Sequence, residues 1–421
     1  MIGTITHILA KAGYKAMNGP LADERRRLAG AVPPAAYVSY DPRLLAGVGW
    51  YGYRIALKGG DRSMLERARY MLEQQYVIRD SYEYYADGIY TFGVLLRQRV
   101  KLYGIGGGAN PGPSPDDFWG LKLKMPEGGT VILRKNGSPN AVSLEVSTDG
   151  TNWQPWELVG TDYSYTLQAG QTLCIRNTST TFVQLSTGTT KYYGFVFDRT
   201  VEASGSVMSL SVNDETVLSL AGDNFNFFNL FRNCVSLAIA PELPATTLAS
   251  SCYGSMFRGC TSLTTAPELP ATTLASNCYQ NMFYGCTSLT ILPSELPAMT
   301  LTGNCYSSMF YGCTSLTIAP ESPATTLTSN CYNSMFYGCT SLTSAPELPA
   351  TTLVNSCYYQ MFQGCTILSE IRTHMTDISA STCLNNWLST VAATGDFYCP
   401  SSLTIPSGAS GIPNGWTRHD I

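Results

Sequence analysis

The stretch MFRGCTSLTTAPELPATTLASNCYQN (256–281) runs directly into MFYGCTSLTILPSELPAMTLTGNCYSS (282–308) and then MFYGCTSLTIAPESPATTLTSNCYNS (309–334). Cys234, Cys260, Cys286, Cys313, Cys339 and Cys365 mark the period at 26, 26, 27, 26 and 26 residues; the one 27 comes from an extra residue in Leu292-Pro293-Ser294-Glu295. A second column, Cys252, Cys278, Cys305, Cys331, Cys357 and Cys383, repeats in step. Recurrence of whole segments predicts a solenoid of 26-residue coils over 231–399. A single coil cannot bury its own apolar positions and must stack on its neighbours.

The columns indicate which side chains face inward. Leu263, Leu289, Leu316 and Leu342 recur at one position and Leu274, Leu301, Leu327 and Leu353 at another. Phe257, Phe283, Phe310, Phe336 and Phe362 form a third column, and all three are expected in the core. Pro-Glu-Leu-Pro forbids a helix and removes ladder donors, so a short strand is expected to end near Ala266-Pro267. Coils ~4.8 Å apart would make a rod of roughly 25–30 Å.

Variation within this frame falls at two places. One is the pair Gly254-Ser255, Gln280-Asn281, Ser307-Ser308, Asn333-Ser334 and Tyr359-Gln360; the other is the residue after Phe, namely Arg258, Tyr284, Tyr311, Tyr337 and Gln363. Side chains that change while the framework repeats are not core. Arg258, Tyr284, Tyr311, Tyr337, Gln363, Gln280, Asn281, Asn333 and Tyr359 are therefore the candidate ligand-binding residues, suited to hydrogen bonding and stacking against a glycan or protein. The competing reading is a set of exposed, tolerant positions.

Upstream of the repeats, short alternating runs (LKLKM, TVILRK, VSLEVS, YSYTL, TLCIR, FVQLS, YYGFVF) are separated by Asn136-Gly137, Asp149-Gly150 and Ala169-Gly170. They predict an all-β sandwich over 118–200, with a hairpin at Leu144 to Trp153. Trp153 beside Trp156 is a candidate sugar platform, although aromatics beside a hairpin more commonly pack. Residues 201–230 connect and cap the repeats, and 400–421 close them. Gly104 to Pro115 (GIGGGANPGPSP) sets a Gly/Pro linker over 104–117. Before it, 1–103 is expected to be a mixed α/β anchoring domain. It carries an amphipathic helix at 63–79 with a Ser63-x-x-Glu66 capping box and a strand from Ile89 to Leu96. Arg97, Arg99 and Lys101 then alternate along a basic strand face, most simply a solvated one.

Charge divides the chain unevenly. Residues 1–110 hold 15 Lys/Arg and 9 Asp/Glu, and 111–421 hold 11 and 21. From Cys234 to Cys365 the only charged side chains are five Glu and one Arg, so nucleic acid is not the expected partner. Met1 to Pro20 lacks a signal-peptide core, and no run of about twenty apolar residues predicts a membrane span.

Catalysis and metal binding find little support. The two Cys of a coil stand eight apart without a close C-x2-C pair or nearby His, so no metal and no cofactor is expected. Columns of Cys read as reduced, buried thiols, while neighbouring-coil spacing leaves cross-coil disulfides open. His7, His374 and His419 lack a nucleophile motif. Glu242, Glu268, Glu295, Glu321 and Glu347 recur with the coil and are read as structural. Asp214 or Glu215 with Asp223 is a weak candidate acid pair, more simply turn residues. No catalytic residue is assigned.

The repeats resemble the BspA-like leucine-rich repeats: a Leu-containing strand, a Pro turn, a further Leu, then an aromatic-x-Gly-Cys turn and Ser-Leu, as in Phe283-Tyr284-Gly285-Cys286 and Ser288-Leu289. The resemblance covers about 231–370, and the tail from Thr376 to Thr417 resembles the closing segment that accompanies such repeats in proteins of gut Bacteroidota and their phages. It implies a multidomain, non-enzymatic recognition protein. In the first reading, 1–103 docks on other virion proteins of a phage fibre or decoration, assembled in the host cytoplasm, and the repeats meet a host-surface glycan or protein. An oligomer of identical chains is compatible with this. The alternative is an adhesin or glycan-binding protein of the bacterial cell surface; a glycan depolymerase is a third class.

Overall fold

The computed structural model describes residues 115–421. The chain divides between Gly112 and Pro113, inside the stretch read as a linker. The expected helix at 63–79, the expected strand and basic face between 89 and 101, and region 1–103 as a whole lie outside the described residues.

The described part is mostly β-strand and turn, with only two short 3-10 turns, Pro115–Asp117 and Val207–Leu210. In chain order the first strands are β1 (Lys122–Lys124), β2 (Gly129–Asn136), β3 (Leu144–Ser147), β4 (Gln154–Pro155), β5 (Leu158–Val159), β6 (Asp162–Leu167), β7 (Thr172–Asn177), β8 (Tyr192–Phe197) and β9 (Val201–Ser204). One sheet runs β5-β6-β2-β8 and another contains β9-β1-β7-β3-β4, with antiparallel pairing throughout. Alternation places Val131 and Leu133 of β2 in the core, while Arg134 faces out and pairs with Asp162 at 2.9 Å. In the β3–β4 hairpin, Asp149 accepts the N–H groups of Thr151 and Asn152. Those bonds hold its carboxyl well below the usual range.

The strands of 118–204 and the repeats share a sheet. β10 (Leu237–Ile239), the first repeat strand, pairs in parallel with β9. The chain turns the corner at Gly205, whose φ is 69° and whose Cβ would stand 2.0 Å from the Gly120 carbonyl oxygen, so no other residue fits. The segment 201–230, expected as a connector, is itself a coil: Ser219 bridges Thr247, and the N–H of Phe227 donates to Cys252 O at 2.9 Å. The far end differs in the same way. β11 (Glu370–Arg372), β12 (Gly395–Cys399) and β13 (Trp416–Asp420) pair in parallel, so 416–420 extends the ladder, and the closing contacts come from Ala409, Ser410 and Gly411 against Asn386, Trp387 and Leu388.

Each middle coil has two limbs. On the first, coils meet at single bridges, Ile239 to Thr265 to Ile291 and Ile318 to Ser344, with Thr247 to Thr273 and Thr300 to Thr326 further along. The expected strand is reduced there to one bridged residue, because Pro267 and its equivalents have no N–H to extend the ladder.

The second limb is a turn ribbon. The N–H groups of Ser251, Tyr253, Ser255, Phe257 and Gly259 donate to the next coil at 2.8–3.0 Å. Those of Cys252, Gly254, Met256, Arg258 and Cys260 donate three residues back within the coil at 3.1–3.3 Å. Every backbone donor from 251 to 260 is thereby satisfied without helix or strand. The ribbon requires positive φ at every fourth residue: Ser251 (57°), Ser255 (54°) and Gly259 (75°), and likewise Asn304, Ser308 and Gly312. Between them, pairs such as Cys252-Tyr253 and Met256-Phe257 point inward and are fully buried.

Those pairs stack from coil to coil. Phe257, Phe283, Phe310, Phe336 and Phe362 form a column at 5.5–5.6 Å between ring centres. Tyr253, Tyr279, Tyr306, Tyr332 and Tyr358 form a second at 5.7–5.9 Å, which Trp387 extends at 6.3 Å. The Leu columns are buried as expected.

Candidate functional site

The outward positions of the ribbon carry the variable side chains. Arg258, Tyr284, Tyr311, Tyr337 and Gln363 follow the five buried Phe and lie half-buried in one column. The guanidinium of Arg258 sits 4.3 Å from the ring centre of Tyr284. Tyr284 stacks on Tyr311 and Tyr311 on Tyr337, both at 4.5 Å with planes within 6°. Neighbours therefore close both faces of Tyr284 and Tyr311 and one face of Tyr337, so a sugar finds little ring face to stack on along this column and the hydroxyl rims are what remains. Burial and the neighbouring phenols push the Tyr311 hydroxyl upward in pKa, so that hydroxyl stays protonated. The column ends at Gln363, whose Oε1 is buried without a partner.

Gln280, Asn333 and Tyr359 occupy the outward position four residues earlier, all half-buried. Asn333 is held locally, accepting from the Ser334 hydroxyl at 2.8 Å and donating to Asn330 Oδ1 at 3.3 Å. Asn281 belongs to a different set. Its φ is 56°, in the column of Ser255, Ser308, Ser334 and Gln360, so backbone conformation restricts the residue there and it is not a freely varying contact position. Trp153 stands apart in the sandwich, with the Arg176 guanidinium 4.0 Å over its ring and Phe118 edge-on at 4.9 Å. Trp156 is buried and donates its Nε1–H to Ser164 O. The two do not form a joint platform, because Trp156 is buried and the Arg176 guanidinium takes one face of the half-buried Trp153.

One residue of the column escaped the sequence reading. Arg232 lies 26 residues before Arg258, is exposed, and belongs to the coil that begins inside 201–230. That spacing was the available signal. Arg232 and Arg258 are the only Lys or Arg between Val201 and Ile371.

The other candidate groups have structural work. The Glu column bonds along the stack: Glu321 Oε2 accepts the N–H of Glu347 at 3.1 Å, and Glu347 Oε1 lies 2.6 Å from His374 Nε2. Asp214 accepts the Thr216 N–H and hydroxyl, bonds that lower its pKa, the wrong direction for a general acid. Burial raises that of Asp223. All fourteen Cys are buried and free of disulfides. Among the described residues no helix is long and apolar enough to cross a membrane, and no three His, Cys, Asp or Glu are grouped to hold a metal ion. The chain matches no family model, no curated protein and no solved structure.

Proposed function

We propose that this chain is a non-enzymatic recognition protein of a bacteriophage particle, a fibre or decoration component. Its 231–399 region is a BspA-like leucine-rich-repeat solenoid that presents the ribbon to a glycan or protein on the host surface. Residues 1–103 would join it to other virion proteins. The observation that supports this best is the ordered outer column Arg258–Tyr284–Tyr311–Tyr337: polar side chains line up at coil spacing where the framework around them is buried and repetitive. Each coil offers a weak contact, and several in line supply avidity.

The test is mass spectrometry of purified virions of a phage that encodes the chain, joined to immunogold microscopy with an antibody against 234–399. Stoichiometric recovery with gold on projecting fibres is the expected result. Absence from virions, with the protein found on bacterial cells, would replace this reading by the adhesin.

A further inference from the structure

We infer that the ribbon column from Arg232 through Arg258, Tyr284 and Tyr311 to Tyr337 binds an acidic polysaccharide, the two guanidiniums taking its anionic groups and the phenol rims its hydroxyls. The inference rests on the recognition reading above and names the ligand class of the same face.

The first argument is charge placement. Between Val201 and Ile371 the chain has ten Asp or Glu and two cations, and those two stand one coil apart in the same column. Neither forms an ion pair with a described residue. Guanidiniums left unpaired on an anionic body are available to an external carboxylate or sulfate, which they bind through paired N–H donors.

The second argument is order. Stacking on Tyr284 fixes the plane of Arg258, so less rotamer freedom is lost when an anion binds. With both faces of Tyr284 and Tyr311 closed, most of the stacking that a neutral sugar or a base would use is removed, and edge-on donors remain at 4.5 Å intervals along the coil axis. A hydroxyl-rich chain with intermittent negative charge matches that row. A nucleic acid does not, since it needs many cations and open aromatic faces.

The full chain is run in native gels that contain polygalacturonate, dextran sulfate or uncharged dextran. Retardation by an acidic polymer and none by dextran is expected; the first two gels separate carboxylate from sulfate recognition. R232Q/R258Q should weaken retardation about tenfold, as expected for lost charge-assisted hydrogen bonds. Y311F, which keeps the stack and removes one hydroxyl, should weaken it about threefold, a typical single hydrogen bond. The charge-matched K191Q/R199Q in the sandwich should leave it within about twofold, because those residues lie outside the column. No retardation by either acidic polymer, equal retardation by dextran, or equal loss in K191Q/R199Q would overturn the inference. Binding of the wild type and R232Q/R258Q to host cells is measured alongside. Equal cell binding by both sinks the acidic-glycan assignment and leaves surface recognition standing; loss in the variant alone supports the assignment.

Discussion

The thiol of Cys286 donates to the carbonyl of Phe257 in the preceding coil at 3.1 Å, and the same oxygen accepts the N–H of Cys260, also at 3.1 Å. Cys260, Cys313, Cys339 and Cys365 repeat this bond to Phe231, Phe283, Phe310 and Phe336. Cys thus closes each ribbon as a small apolar side chain that also ties two coils together. Cys286→Ala should cost about 1–2 kcal/mol in urea unfolding, from the lost bond and the small void together.

Burial pushes the thiols of Cys252, Cys286 and Cys357 up to about 12 from an ordinary 9.0. In the unfolded chain they ionise first as pH rises, so the unfolded state holds fewer protons above pH ~9 and folding stability falls there. The loss should be about 1.4 kcal/mol per pH unit for each such thiol up to its folded pKa, and stability should be insensitive to these groups below pH ~8. Urea midpoints between pH 7 and 11 check this; a flat profile would contradict it. Iodoacetamide at pH 8 should label the native unit hardly at all and the unfolded chain fully.

Gly312 has φ of 69°, and a Cβ there would meet nothing within 4 Å. The backbone angle, not lack of space, favours glycine there, and the first coil holds the equivalent position with Asn233 at φ 61°. Gly312→Ala should therefore cost about 1–2 kcal/mol, and Gly312→Asn less, since Asn tolerates the left-handed region better. Thermal midpoints of the two variants decide it.

Tyr332 and Ser322 form a buried hydroxyl pair, at a position where the other coils place Leu243, Leu269, Leu296 and Leu348. Tyr332→Phe should cost about 1–2 kcal/mol in the parent chain, by leaving the Ser322 hydroxyl unpartnered, and little in Ser322→Leu. A double-mutant cycle with no coupling would refute the pair.

Phe310 and Tyr311 are neighbours on opposite sides of the ribbon. Phe310→Ala should cost about 3–5 kcal/mol because a stacked core ring is lost. Tyr311→Ala should cost about 0.5–1.5 kcal/mol, the scale of an aromatic pair at a partly exposed site. Equal costs would mean that the outer stack carries the fold as much as the core does.

How much of this was legible follows from periodicity. Six Cys and five Phe in register multiply a weak local signal until the 26-residue repeat is unmistakable. The ribbon was not legible, because Cys252-Tyr253 and Met256-Phe257 recur every four residues, matching neither the strand period of 2 nor the helix period of 3.6. Asn281 looked like a free contact position because sequence variation carries no record of φ. The first coil was hidden because Asn226 stands where later coils have Cys. Its buried amide accepts from Leu185 N–H and donates to Ser211, tying the coil to the β-rich region before it. Arg232 was lost with it.

By itself the sequence determined the coil length, the Leu and Phe columns, the β-rich region before them and the scarcity of charge, since these depend on residue identity and spacing alone. Tertiary structure decided that the faces of Tyr284 and Tyr311 are closed, that Arg176 covers one face of Trp153, that Arg232 joins Arg258 in one column, and that strand β9 and the first repeat strand share a sheet. Each of these depends on residues about one coil or more apart in the chain meeting through space, and that meeting is set by stacking geometry and not by local pattern.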